Sequence, residues 1–299
     1  MRNPTETSNF ADVKRLIAYL ITFAALLALS PIGAEAQIIS RNDSITSFDA
    51  DSLRRAYDEG PYFTFYKDNY FIGGIPIGKR PTSRNSNVKF QISIQQKLTK
   101  SVLPWNTYLY LFYTQKCFWN IFQNSLPMTD LNFNPGIGLA KPFFSQVNGR
   151  YIGKAFILLE HESNGRDGDD SRSWNRVTFG GNILIDKNLM VSLKTWIPII
   201  DGSNNKDILK YYGIYQIGIQ VMSDNRRFGV SLVMNKRADW NPFNFNTELN
   251  VKYRIWARDN QYLFLQYYNG YGEGLLAYKE FHSMLRIGIC LSPTFFSEF

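Results

Sequence analysis

Cysteine is scarce: Cys117 and Cys290 are the only two in 299 residues. Two cysteines make neither a disulfide framework nor a metal-binding pattern, and we read both as structural. Long apolar runs are also missing. Beyond Ala36 no stretch is long enough for a transmembrane helix. The net charge is +8, yet no basic cluster accompanies it, which argues against a nucleic-acid partner. A G-x-S-x-G nucleophile elbow is absent, so a soluble esterase of that type is disfavoured. There is no second domain, no long internal repeat and no low-complexity tract.

What the chain has in excess is aromatic surface, 16% of residues, with 18 Tyr and 23 Phe. That suits a barrel needing aromatic girdles at two membrane interfaces. The N-terminus reads as an export signal. Lys14 and Arg15 precede the apolar run Leu16 to Leu29, and Ala34-Glu35-Ala36 is a small-residue cleavage pattern. We therefore expect a signal peptide over 1–36 and an N-terminal periplasmic segment over 37–60. Within that segment the stretch from Asp49 to Glu59 could form a short amphipathic helix.

From 61 to 299 one pattern repeats: short segments alternating apolar and polar, separated by turn residues. In Val88-Lys89-Phe90-Gln91-Ile92-Ser93-Ile94-Gln95, Val, Phe and the two Ile share one face. Lys, Gln, Ser and Gln share the other, because side chains alternate across a strand. The pattern returns at Tyr215–Val221, Leu249–Ile255 and Leu285–Ile289. Lys89, Gln91, Lys252, Arg254 and Arg286 fall on the inward parity, as a hydrated lumen requires. Lipid cannot satisfy open backbone groups, so such strands cross a membrane only as a closed barrel. The expectation is an all-β, multi-pass transmembrane antiparallel β-barrel of about 12 strands in the bacterial outer membrane, closing on the terminal aromatic Phe299.

The chemistry concentrates in two motifs. The first is Glu160-His161-Glu162-Ser163-Asn164-Gly165-Arg166, and the second is Ser171-Arg172-Ser173-Trp174-Asn175-Arg176. His161 and Ser163 continue the apolar face of Ala155, Ile157 and Leu159, so they point out toward lipid. Asn175 continues the outward face of the next strand, while Glu160, Glu162, Trp174 and Arg176 take the lumenal parity. An outward His and Asn cost free energy unless partnered, and each can partner the other. The set suits ester hydrolysis. His161 would take the Ser163 proton as general base, and Asn175 would fix its tautomer. Gly165 would offer its amide to the oxyanion. His282 has no comparable surroundings and reads as structural.

These motifs resemble the outer-membrane phospholipase A family. The spacing from His161 to Asn175 matches it. So do Val88–Gln91, Tyr113-Thr114-Gln115, Tyr211–Gln216 and Gly270-Tyr271-Gly272-Glu273, so the likeness runs from about Tyr62 to Phe299. The resemblance implies a calcium-dependent phospholipase with A1 and A2 activity on membrane phospholipids, regulated by reversible homodimerisation. It implies Ser163 as nucleophile, His161 as base, Asn175 as orienting residue and Gly165 in the oxyanion hole. For calcium it implies the Ser171 hydroxyl, the Arg166 carbonyl and a carbonyl from the other subunit, best matched by Ser125. The family's loop aspartate aligns with Gly168, so Asp167 or Asp169 would have to stand in, with Asp170 just beyond. Gln115 matches a glutamine at the family's dimer interface.

The main competing expectation is a porin-like passive channel, which fits a wet lumen but leaves the outward His-Ser-Asn set unexplained. A lipid A deacylase barrel also carries a His-Ser pair, but this chain is too long for that fold.

Overall fold

The structure is a computed structural model that describes residues 50–145, 147–199, 204–256, 259–293 and 298. The expected signal peptide, most of the 37–60 segment and the terminal Phe299 lie outside the described residues. No helix among the described residues is long and apolar enough to cross a membrane.

Thirteen strands form one sheet. The first half runs β1 (Phe63–Phe65), β2 (Asn69–Pro76), β3 (Asn87–Lys97), β4 (Tyr108–Trp119), β5 (Met128–Phe144), β6 (Tyr151–Ser163) and β7 (Ser173–Leu184). The second half runs β8 (Leu189–Ile199), β9 (Tyr215–Met222), β10 (Phe228–Lys236), β11 (Phe245–Arg254), β12 (Gln261–Gly270) and β13 (His282–Leu291). From β2 onward each strand pairs antiparallel with the next, and β13 returns to β2. The barrel is therefore closed, with no open edge to satisfy. β1 and β2 both lie along β3, so they act as one broken barrel strand. That leaves twelve around the ring, as the turn-and-alternation pattern led us to expect.

Alternation sorts the side chains. Leu111, Ile137, Ile157, Leu159, Leu193, Ile197 and Ile287 are exposed on the outer surface. A soluble protein rarely tolerates a continuous apolar belt of this kind, whereas a bilayer requires it. The lumen holds the opposite chemistry. Lys89 donates to Gln266 Oε1 at 2.7 Å and to Glu273 Oε1 at 3.2 Å. Arg286 pairs with the same Glu273 and donates to Asn87 Oδ1 at 3.1 Å. Buried charges are tolerable only when paired and hydrogen-bonded in this way. A cavity of about 200 Å³ remains among such residues, Lys67, Lys116, Glu160 and Arg176 included.

The helix expected near Asp49–Glu59 is α1 (Ala50–Glu59). It does not hang free of the barrel. Its Tyr57 packs edge-on against Tyr108, with ring centroids 4.9 Å apart, and shares a 2.8 Å hydroxyl bond with Tyr110. Lys97 donates to the carbonyls of Tyr57, Asp58 and Gly60 at 2.7, 3.0 and 3.1 Å. That lysine supplies donors and positive charge where a helix C-terminus has spare carbonyls. The helix thus docks on inward-facing tyrosines at the barrel mouth opposite the end of β6. At the lumenal wall near that mouth, Glu298 ion-pairs Lys154 at 2.8 Å. Both cysteines are buried and free.

Candidate active site

The β6–β7 hairpin carries the site. Its register opposes Leu159 with Val177, His161 with Asn175 and Ser163 with Ser173. His161, Ser163 and Asn175 therefore lie on the outer face at one rim, each partly exposed. The His161 Nδ1 and Asn175 Oδ1 atoms are 2.8 Å apart. An amide oxygen can only accept, so Nδ1 carries the hydrogen, and Nε2 is the nitrogen left to exchange a proton. Ser163 follows on the same face two residues along. Alternation alone brings the three together, because all sit at the apolar parity of adjacent strands.

Beyond Ser163 the chain turns through 164–172. Asn164 organises that turn: its Nδ2 donates to the Asp170 carbonyl at 2.8 Å and its Oδ1 accepts from the Arg172 amide at 3.0 Å. Gly165 has φ +64° and lies against Phe133, where an added Cβ would stand 2.9 Å from the ring. Both conditions demand glycine. Asn164 carries no special mark in the sequence beyond its place in the motif, and its role was not legible there.

The expected calcium donors divide into two groups. Arg166, Asp167, Asp169 and Ser171 share the 164–172 turn, with the short 3-10 segment Gly168–Asp170 between them. The Arg166 side chain is drawn aside, to Asp170 at 3.3 Å and to the Thr129 carbonyl at 2.8 Å. Ser125 stands on the neighbouring 120–127 loop of the same rim, at φ +71°. Among the described residues no three His, Cys, Asp or Glu side chains converge on one point. The donor chemistry does fit calcium: a hydroxyl, a main-chain carbonyl and carboxylates, all hard oxygens on an exposed, adaptable loop.

On the lumenal face of the same hairpin, sequence parity placed Glu160, Glu162 and Arg176 but not their pairing. Arg176 donates to Glu160 through Nε and Nη2, both at 3.1 Å, and to Glu162 through Nη1 at 2.6 Å. Thr178 also donates to Glu160. The guanidinium lies 4.5 Å from the ring centroid of the buried Trp174. Two residues of β5 were also missed. The β5–β6 pairing skips Asn134 and Pro135, and Asn134 Nδ2 instead donates to the His161 carbonyl at 2.9 Å. Pro135, a proline within a strand interior, was the available signal. His282 faces Glu273 at 3.6 Å, within the lumenal network.

A closed barrel with an apolar belt, a charged lumen and a polar cluster at one rim defines a bacterial outer-membrane β-barrel protein. Comparison with known proteins gives its kind. The family model for Phospholipase A1 matches residues 65–291, and the chain belongs to that family of outer-membrane phospholipases. Phospholipase A1 of Proteus vulgaris is 32% identical over 71% of this chain and 73% of its own length. That of Klebsiella pneumoniae is 29% identical over 92% of this chain and 99% of its own. Among solved structures, outer membrane phospholipase A from Escherichia coli matches with TM-score 0.68 and 27% identity, covering 78% of this chain and 99% of that one. The Salmonella typhi outer membrane phospholipase, a dimer with bound calcium, matches with the same score and identity over 78% of this chain and 93% of its own. An enzyme family displaces the passive-channel alternative.

Proposed function

We propose that the chain hydrolyses acyl esters of glycerophospholipids, with A1 and A2 activity, by a calcium-dependent Ser-His-Asn mechanism in a reversible homodimer. The observation that carries this is the 2.8 Å contact between His161 Nδ1 and Asn175 Oδ1 on the lipid-facing surface, beside Ser163. A solved active-site mutant of the Escherichia coli relative replaces an asparagine with alanine, which supports an active-site role for an asparagine here.

Asn175 holds the imidazole through Nδ1, which leaves Nε2 to serve Ser163. His161 Nε2 takes the hydroxyl proton as Ser163 Oγ attacks the ester carbonyl. The carbonyl oxygen becomes an oxyanion, which the Gly165 amide receives. The tetrahedral adduct collapses, the C–O bond to the lysophospholipid breaks, and the imidazolium returns its proton to that leaving oxygen. Water then repeats the sequence on the acyl-serine, releasing a fatty acid and restoring Ser163. When bound, calcium would add positive charge near the developing oxyanion. Ser171, Arg166, and Asp167 or Asp169 would hold it, and Ser125 of a second copy would complete the shell.

The dimer of the Salmonella typhi enzyme supports a second copy, which we place on the outer face of β4. There Gln115 accepts from the Tyr113 hydroxyl at 3.0 Å, while its amide nitrogen meets Cys117 Sγ at 3.5 Å. A sulfur is a weak acceptor, so an amide on lipid gains from a partner chain. The segment 37–60 is assigned to the periplasmic side and the site rim to the opposite one.

The test is fatty-acid release from phosphatidylethanolamine by the mature chain refolded in detergent. Wild type and Ser163→Ala are each assayed with calcium and with EDTA. Calcium-dependent release in wild type alone is expected. Turnover by folded Ser163→Ala would remove the nucleophile assignment.

A further inference from the structure

At the site, β6 is weakly laced to its β5 flank. Opposite His161 in the β5–β6 register stands Pro135, which has no amide to donate, and the ladder skips it together with Asn134. One side-chain bond, Asn134 Nδ2 to the His161 carbonyl, replaces it. On the far side β8 presents Pro198 to Arg176, and the β7–β8 register runs on through it to Asn175–Ile199. Backbone pairing to β5 therefore leaves the rim end of β6 loosely fixed, at the height where the His161–Asn175 geometry matters.

The lumenal face compensates. Glu160 and Glu162 flank His161 in the chain, and Arg176 adjoins Asn175. In a strand, residues on opposite faces share one pleat, so fixing two neighbours on the inside fixes the residue between them on the outside. A single guanidinium bridges Glu160 and Glu162 with three bonds of 2.6 to 3.1 Å. Its plane is backed by Trp174, which packs edge-on against Tyr212 with centroids 5.8 Å apart. A planar fork of fixed geometry can span two carboxylates at once, which an ammonium cannot.

We propose that Arg176, acting through Glu160 and Glu162, is a positioning residue for hydrolysis: it locks the β6–β7 register that holds His161 against Asn175. The inference rests on the Ser163–His161–Asn175 reading. It goes beyond that reading by assigning a lumenal ion triad to the turnover of a site on the outer wall.

The experiment compares kcat and KM, the latter as substrate mole fraction in mixed micelles. The variants are Arg176→Lys, Glu162→Gln, Lys252→Met and Ser163→Ala, each first shown to be folded by its heat-modifiable gel mobility. Lys252→Met is the control. It breaks another buried lumenal pair, Lys252–Asp68 at 2.6 Å, near the opposite rim. Arg176→Lys keeps the charge and loses the fork, so its kcat falls about 10- to 100-fold with KM within about twofold, as a misplaced catalytic group requires. Glu162→Gln moves the same way, and Lys252→Met keeps the wild-type kcat.

Wild-type kcat in folded Arg176→Lys and Glu162→Gln, with Ser163→Ala dead, overturns the inference and leaves the catalytic reading intact. An equal loss in Lys252→Met also overturns it, because general barrel integrity would then be the cause. If Arg176→Lys does not fold, Glu162→Gln decides by the same criterion. Activity in Ser163→Ala would instead mark failure of the catalytic reading itself.

Discussion

Replacing Asn175 by alanine removes the hydrogen bond to His161 and leaves both reacting groups in place. The bond is 2.8 Å long, and both residues are partly shielded by the strand pair. A net hydrogen bond contributes about 0.5–1.5 kcal/mol, rising to about 1.5–3 when one partner is charged, as His161 is once it holds the serine proton. Applied to the barrier, about 1–3 kcal/mol corresponds to a loss of roughly 5- to 150-fold in kcat. The variant should therefore keep about 1–20% of wild-type turnover. Asn175→Asp retains the acceptor and adds charge, so it should lie between the alanine variant and wild type or above it. The assay is initial-rate fatty-acid release in mixed micelles at saturating calcium, with folding checked by gel mobility. Loss below about one part in a thousand, with the barrel intact, would mean that Asn175 does more than orient. Unchanged kcat would mean that the 2.8 Å contact plays no part in turnover.

EDTA should abolish hydrolysis while the barrel stays folded, since the strands are joined by their own backbone ladders; activity without divalent metal would remove the calcium assignment. Asp167→Asn and Asp169→Asn separate the candidate carboxylates: the true ligand's variant should need about tenfold more calcium for half-maximal activity, and no change in either would move the site off this loop. Lys97→Met takes the donor from three carbonyls at the end of α1. It should weaken helix docking by about 1–3 kcal/mol, read as faster proteolysis within 50–60 while the barrel core stays resistant; unchanged cleavage would mean that Lys97 does not hold the helix.

Alternation made most of this architecture legible. The Val88–Gln95 segment declares its two faces outright, and β3 presents them as read. The outward direction of His161 and Asn175 followed from counting parity back to Leu159 and Val177. Their pairing followed from a short loop between the two motifs, and the register bears it out. What alternation cannot convey is which polar residues meet across a face. Glu160, Glu162 and Arg176 were each assigned to the lumen, yet nothing in their spacing says that one guanidinium reaches both acids. Parity fixes direction, whereas partner choice depends on side-chain length and on the twist between strands. The docking of α1 was hidden for a related reason. A short amphipathic pattern shows that a helix forms, but not that Tyr57 will find Tyr108 and Tyr110 inside the mouth. Pro135 was visible throughout, and its meaning emerged only once His161 was seen across from it.

The outward placement of the site changes the geometry of encounter. An enzyme whose reactive rim opens sideways has no tunnel to fill and no bulk phase to sample. Its substrate arrives by lateral diffusion in two dimensions, already oriented with headgroup at the rim and acyl chains along the wall. At the packing density of a bilayer, whatever lipid fills that leaflet is a standing neighbour rather than an occasional visitor. Doubling the membrane area then leaves each molecule's surroundings unchanged, and what counts is which lipid occupies the leaflet at the rim. With the proposed dimer completing the site, a lipid's chance of being cut would scale with the surface density of completed rims and with the glycerophospholipid present beside them.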